Sequence, residues 1–350
     1  MQRVLSFLKR YSNSLLKLLP LLAFAVPLLW LYLLDAGSFE LMWKGRTFQL
    51  FFIWLIALEL ILSWEIIQPN RIGKPTETKT LALIAALLLP TVYVVLSNYL
   101  GLNTAIAEAS RQSGVIWWGS MALSTEYLFF AVFFWLMIFL QFGKKGLKDF
   151  VVPAFFLGIV GAIYTIDNVF PYGQFTPFQL LVPTTATLAA TVLNAMGYQT
   201  SLGTAGTMPR LTATDPANPL RTATFDIAWP CAGIESLLIF TVVALLFLKR
   251  MPISWKAKTV YFAVGAAVTY LINILRIAAF YPLGMDYGVN SEQVRLFHAY
   301  YGPLYAIAWI TLYPLIILGS QRLWRKIAEK RSNKKSQGNK ENVEAYLKPV

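Results

Sequence analysis

Residues 230–248 read PCAGIESLLIFTVVALLFL, a run of 19 residues in which Glu235 is the only charged side chain. A helix that crosses a bilayer needs about 20 mostly apolar residues, so this run predicts a transmembrane helix. Pro230 suits the first helical position, because a proline has no N–H to leave unpaired there. We therefore expect Cys231, the single cysteine of the chain, to lie in the first turn of a spanning helix. The positive end of the helix dipole would favour its thiolate.

Similar apolar runs recur along the chain. Hydrophobic residues make up 57% of the 350 positions and charged residues 13%, about half the charged share of a soluble domain. The sequence therefore predicts an all-α polytopic membrane protein. The first run resembles a signal peptide but lacks a small-residue cleavage site, so we expect it to be retained. We expect about eight spanning helices, at residues 15–34, 47–67, 80–100, 119–141, 150–169, 230–248, 259–280 and 298–319.

Basic residues predict the orientation of these helices. With both termini inside, the inner segments hold 23 of the 30 Lys and Arg residues, as the positive-inside rule requires. This rule accounts for the net charge of +13 without a nucleic-acid partner. The outer segments hold the other seven basic residues, which are Lys44, Arg46, Arg111, Arg210, Arg221, Arg276 and Arg295.

The predicted domains follow from this topology. Residues 1–79 hold the first two helices, residues 80–319 form the membrane core, and residues 320–350 form a basic, partly disordered cytoplasmic tail that faces anionic lipid head groups. The outer loop 170–229 alternates apolar and polar residues near its end, which is typical of a short strand or hairpin. Residues 179–197 are apolar enough for a ninth crossing. We interpret them as a re-entrant or surface-lying helix, because a crossing would place the basic tail outside.

Three side chains that can carry chemistry are expected at one depth. Cys231, Arg276 and His298 lie near the outer ends of the last three predicted helices. Taken singly, they could be a packing cysteine, an arginine that reaches lipid phosphates and a member of an aromatic belt. Taken together, they suit a thiolate nucleophile, a proton carrier and an oxyanion partner. One Cys and one His exclude an internal disulfide and a zinc site of the usual kind, and we expect no cofactor or metal.

The order of these residues resembles the exosortase/archaeosortase family of membrane-embedded cysteine transpeptidases. The matching motifs are CxGxxS from Cys231 to Ser236, NxxRI from Asn273 to Ile277, and His298 in the last helix. The resemblance covers roughly residues 80–320. Many members carry Ser or Thr where this chain has Ala232, which leaves the subfamily, and the bacterial or archaeal branch, open.

The resemblance implies a function. Cys231 would be the nucleophile, His298 the proton carrier, and Arg276 the oxyanion or substrate-carboxyl partner. The substrates would be secreted precursors that end in a short motif, a transmembrane helix and a basic cluster. They would be cleaved at the outer face of the cell membrane and transferred to a lipid or another amine or hydroxyl acceptor.

Four other residues are weaker candidates. Glu235 lies one turn from Cys231 and could pair with Arg276. Ser236 and Asn273 could hydrogen bond within the site or only between helices, and Asp226 could orient His298 or be a loop acid. Glu126 and Asp167 are acids in or near helices, but nothing in the sequence places them at one depth as an aspartyl protease needs.

Two functions from other classes remain open at this stage. A polytopic transporter or lipid-binding protein would use intramembrane charges as a pathway, although the sequence shows no repeat symmetry. A structural subunit without chemistry would explain the apolar bulk but not the convergence of Cys231, Arg276 and His298.

Overall fold

A computed structural model describes residues 2–41, 43–70, 77–171 and 173–346. Most of these residues are helical, and the chain carries one small antiparallel sheet. The helices are α1 Gln2–Leu34, α2 Gly37–Glu40, α3 Thr47–Ser63, α4 Thr78–Tyr99, α5 Leu102–Gln112, α6 Met121–Asp149, α7 Val151–Val169, α8 Thr176–Gln179, α9 Val182–Ala195, α10 Ile234–Arg250, α11 Trp255–Tyr287, α12 Glu292–Leu296 and α13 Gly302–Tyr346.

The polytopic helical fold is confirmed, with every predicted span present as a helix. Within the described part of the chain, seven helices are long and apolar enough to cross a membrane: Ser14–Leu34, Thr78–Tyr99, Trp118–Asp149, Val151–Val169, Pro177–Ala195, Trp255–Tyr287 and Glu292–Ile327. The predicted spans α3 and α10 have 17 residues each, which gives about 25 Å of helix. Their last turns lie together, because Lys249 and Arg250 of α10 contact the fully buried Glu59 of α3.

The helices pack around three apolar cores. The largest joins α1, α3, α4, α6 and α7 through interlocking aromatic rings, with Phe24 in edge contact with Phe52, Phe130 and Phe134. A second lies between α9, the sheet and α11. A third joins α10, α11 and α13, where Gly265 lets the rings of Phe240 and Tyr313 approach the α11 backbone.

The segment predicted as the outer loop 170–229 contains a three-stranded sheet rather than a single hairpin. The strands are β1 Gln199–Ala205, β2 Met208–Asp215 and β3 Asn218–Asp226, in the order β1-β2-β3. The period of two in the sequence places Leu211, Ala213 and Ala223 on the buried face and a ladder of threonine hydroxyls on the exposed face. The buried face packs on α11, whose Gly284 leaves space for the Phe225 ring.

Residues 170–229 leave and rejoin the helical bundle at one point. Asp167, near the end of α7, accepts a hydrogen bond of 2.8 Å from the indole of Trp229, just after the sheet. Within the excursion, Thr185 of α9 bonds the Tyr270 hydroxyl of α11 at 2.7 Å, and the following residues lead to the sheet. Pro177–Ala195 has the length and apolarity of a span, but these contacts favour a segment that returns to the end it left.

At the other end of the chain, α13 is longer than expected. The sequence predicts a partly disordered tail from Ser320, whereas the helix continues to Tyr346. This stretch is rich in Lys, Glu and other good helix formers, with Gly338 as the one glycine. The basic Lys348, like Arg71 and Lys74 of an inner loop, lies outside the described residues.

Candidate active site

The predicted trio of Cys231, His298 and Arg276 comes together at one end of the bundle. Cys231 lies in a short 3-10 turn, Trp229–Ala232, before α10. His298 lies in a π-helical turn, Phe297–Tyr301, between α12 and α13. The Cys231 Sγ is 3.6 Å from the His298 Nε2, which is within reach of a hydrogen bond to sulfur. A thiol and an imidazole at this separation can exchange a proton directly.

The position of Cys231 corrects the expectation of a cysteine in the first helical turn. Gly233 has a φ of +93°, a left-handed conformation that interrupts the helix, so α10 begins at Ile234 and the cysteine stays in the preceding turn. Burial raises the pKa of this half-buried thiol, and the positive charge of Arg276 acts in the opposite direction. The thiol therefore depends on its neighbours, rather than on the α10 dipole alone, to ionise.

Two side chains hold the carbonyl groups of the cysteine turn. Asn273 of α11 donates to the Cys231 carbonyl at 2.9 Å, and the Thr185 hydroxyl lies 3.5 Å from the Ala232 carbonyl. Asn273 reaches this point because Gly233 has no side chain: a Cβ there would lie 2.9 Å from the Asn273 Nδ2. Gly233 of the CxGxxS motif and Asn273 of the NxxRI motif are therefore in close contact.

A buried ion pair anchors the start of the same turn. Asp167 accepts from the Trp229 indole through one oxygen, and its other oxygen lies 2.8 Å from the Lys44 ammonium, with side-chain exposures of 2% and 11%. The ring of Trp229 packs edge-on against Trp43, 4.7 Å between centroids. The loop before α3 therefore contacts the cysteine turn, a role for the N-terminal helices that the sequence does not reveal.

The two acids that the sequence left apart lie near one loop. Glu126 binds Arg46 through two hydrogen bonds, of 2.8 and 3.0 Å. Asp167 binds Lys44, which lies two positions before Arg46 in the chain. Each acid has its own cation as partner. This arrangement differs from two facing acids that share a proton.

Arg276 stands apart from the other basic residues that the sequence predicts on the outer side. All seven are described, and six form an ion pair with an acid: Lys44, Arg46, Arg111, Arg210, Arg221 and Arg295. Arg276 forms none within the described chain, and its buried Nε has no hydrogen-bond partner. Its aliphatic part passes over Gly302, where a Cβ would lie 2.8 Å from the Arg276 Cδ. A cation held in place without a counter-ion is available to an anion that forms in the site.

The supporting candidates have different positions. Glu235 does not form the possible pair with Arg276. Its buried Oε1 has no hydrogen-bond partner among the described residues and lies beside a small cavity lined by Tyr164 and Trp229. Ser236 is half-buried and no contact assigns it a role. Asp226 is bound by Arg210 at 2.6 and 2.9 Å rather than by the histidine, and this pairing holds its carboxyl pKa below the usual value.

A cavity of about 440 Å³ opens directly on the Cys231 and His298 side chains. Its walls come from β3, the end of α11, the connection to α12 and the π-helical turn. No cluster of three or more metal-ligating side chains occurs among the described residues. The cavity can hold a group against the Cys231 thiol and the His298 imidazole, and these two side chains can exchange a proton.

Comparison with known proteins gives one match. The family model described as transmembrane exosortase (Exosortase_EpsH) matches residues 42–316, which is more than three quarters of the chain and includes every residue of the trio. No curated protein and no solved structure matches the chain.

Proposed function

The chain belongs to the transmembrane exosortase family of protein-sorting transpeptidases, and from this premise we propose that it cleaves C-terminal sorting signals through a thioacyl intermediate on Cys231. The observation that carries the proposal is the 3.6 Å approach of the Cys231 Sγ to the His298 Nε2. The charge of Arg276 acts on this thiol, and the buried Arg276 Nε has no hydrogen-bond partner among the described residues. Family membership also argues against a transporter or a purely structural subunit.

The proposed reaction gives each member of the trio a separate role. His298 accepts the thiol proton, and the Cys231 sulfur attacks the scissile carbonyl. The Arg276 guanidinium stabilises the oxyanion of the tetrahedral intermediate. His298 then gives its proton to the leaving amine, which departs with the signal helix and the basic cluster. An amine or hydroxyl acceptor, carried by a lipid or another molecule, resolves the thioester while His298 takes the acceptor proton.

Loss of the thiol tests the reaction. In cells that produce Cys231→Ala, the full-length form of a precursor ending in a motif, an apolar helix and a basic cluster should accumulate, while Ser201→Ala, on an exposed strand position, should process it normally. Immunoblots of the precursor and of the enzyme in membrane fractions give both quantities. Normal processing by membrane-inserted Cys231→Ala would refute the proposed nucleophile.

The site is proposed to face the outside of the cell. The bias of basic residues supports this side, since the site lies at the end opposite Lys249 and Arg250. A membrane-impermeant maleimide added to intact cells should label Cys231. The matched control is Lys326→Cys in the Cys231→Ala background, which should be labelled only after lysis. If both proteins were labelled only after lysis, the site would face the cytoplasm and the proposed orientation would be wrong.

A further inference from the structure

The cavity that opens on Cys231 has a largely apolar wall. The apolar residues of this wall include Phe225 and Ile227 from the end of the sheet, Ile277 and Phe280 from α11, and Val294 from α12. Ile227, Ile277, Phe280 and Val294 are at most 8% exposed. The acidic residue Asp226 and the basic residue Arg295 of the wall are each bound to a partner of opposite charge.

This apolar wall is continuous with the catalytic histidine. The Phe280 ring lies 5.3 Å from the His298 ring and 5.2 Å from the Phe297 ring, centroid to centroid. A group bound against Phe280 therefore lies beside the atoms that react. The volume of about 440 Å³ is at the lower end of the range for sites that bind small ligands, so it suits one or two side chains rather than a folded domain.

One polar atom in this wall has no partner. Tyr281 lines the cavity, is fully buried, and its hydroxyl forms no hydrogen bond within the described residues. A buried hydroxyl is normally hydrogen-bonded. A peptide group of a bound substrate would supply the missing acceptor or donor at the same place.

We propose that this cavity is a specificity pocket that receives an apolar side chain of the substrate residue beside the scissile peptide bond. The inference rests on the proposed function, which makes the bound molecule a peptide. The wall includes both the thiol and the imidazole, so the bound residue lies beside the scissile bond. The apolar lining favours an uncharged side chain.

Because Cys231 is the single cysteine, thiol reagents report on this pocket without a substrate. Methyl, benzyl and 2-sulfonatoethyl methanethiosulfonate each transfer a different group: the Cys231 sulfur forms the new S–S bond and methanesulfinate leaves. Rates on the purified full-length protein are read by intact mass and divided by the rates with free cysteine. The normalised rate of the benzyl reagent should exceed that of the sulfonatoethyl reagent by about tenfold or more, because the pocket buries the benzyl ring.

A cavity-filling variant separates the pocket from general partition into detergent. Val294→Phe should lower the benzyl-to-methyl rate ratio by about tenfold. The control is Val260→Phe, at a 60% exposed position in the N-terminal half of α11, away from the pocket. It should keep the wild-type ratio. Val289→Phe on the rim replaces Val294→Phe if that protein does not fold. Equal normalised rates for the three reagents, or an unchanged ratio in the pocket variant, would overturn the inference. A preference for the apolar reagent together with normal precursor processing by Cys231→Ala would support the pocket but refute the proposed peptidase activity.

Discussion

Replacement of Gly233 by alanine tests whether the cysteine turn is positioned by α11. The φ of Gly233 is +93°, and an added Cβ would lie 2.9, 3.1 and 3.3 Å from the Nδ2, Cγ and Cβ of Asn273. Ordinary contacts between such atoms are about 3.5–4.0 Å. Asn273 would have to withdraw by several tenths of an ångström, and its 2.9 Å hydrogen bond to the Cys231 carbonyl would lengthen or break.

The expected cost has two parts. A residue with a Cβ in the left-handed region loses about 1–2 kcal/mol, and loss of a hydrogen bond removes about 0.5–1.5 kcal/mol more. The effect on catalysis is larger in proportion, because a displacement of about 1 Å in a reacting group lowers a rate by about 10²-fold. We therefore expect Gly233→Ala to fold with a lower melting temperature and to process precursor about 10²-fold more slowly.

Gly197 is the matched control for this substitution. Its φ is +94° and nothing lies within 4 Å of an added Cβ, so Gly197→Ala carries the same backbone strain without the contact. Precursor processing over time, normalised to the amount of membrane-inserted enzyme, should be near normal in Gly197→Ala. Gly233→Ala combined with Asn273→Ala should be no slower than Asn273→Ala alone. Equal activity of the two glycine variants would show that the contact with Asn273 does not set the geometry.

Two further substitutions test the charges around the turn. Arg276→Gln should slow processing by about 10²–10³-fold, the usual effect of removing an oxyanion partner; it should also raise the pKa of Cys231 further, since the Arg276 charge lowers it. Alkylation rates against pH should show the higher midpoint, whereas Arg111→Gln, in an exposed ion pair, should change neither readout. Lys44→Met should lower the free energy of unfolding by about 3–5 kcal/mol, because Asp167 is left buried and unpaired. Lys44→Met with Asp167→Asn should recover most of this loss in thermal unfolding, and failure to recover would mean that the ion pair is not the cause.

The positions of the helices were predictable because the length of an apolar run is a local property of the sequence. The ends of the helices were harder to predict, because single residues determine where a helix begins or ends. Gly233 delays the start of α10 by one turn relative to the prediction of 230–248. Gly143, with a φ of +67°, changes the direction of the chain inside α6, where the sequence predicted a span that ends at residue 141. Neither glycine has a distinctive local pattern in a single sequence.

The site was predictable only in part, for a related reason. Cys231 and His298 are unique residues of their types, and Arg276 is an arginine in an apolar helix, so each attracts notice without a structure. Of the residues that fix the cysteine turn, Asn273 was a weaker candidate, but no sequence feature marks Thr185 or connects Asp167 to the turn. Thr185 and Asp167 are ordinary helical residues whose partners lie more than 40 positions away. Pairings at such separation depend on tertiary packing, which no local pattern encodes.

The sequence suggested that Glu235 could pair with Arg276. The two groups interact electrostatically, yet they form no ion pair, although the other outer basic residues all do. A direct pair would satisfy both groups and would offset the charge that an oxyanion requires. Under the proposed mechanism, the separation leaves the guanidinium without a direct counter-ion, as electrostatic catalysis requires of a preorganised donor. The unpaired atoms of Arg276 and Glu235 therefore support the proposed role of Arg276 as an oxyanion partner.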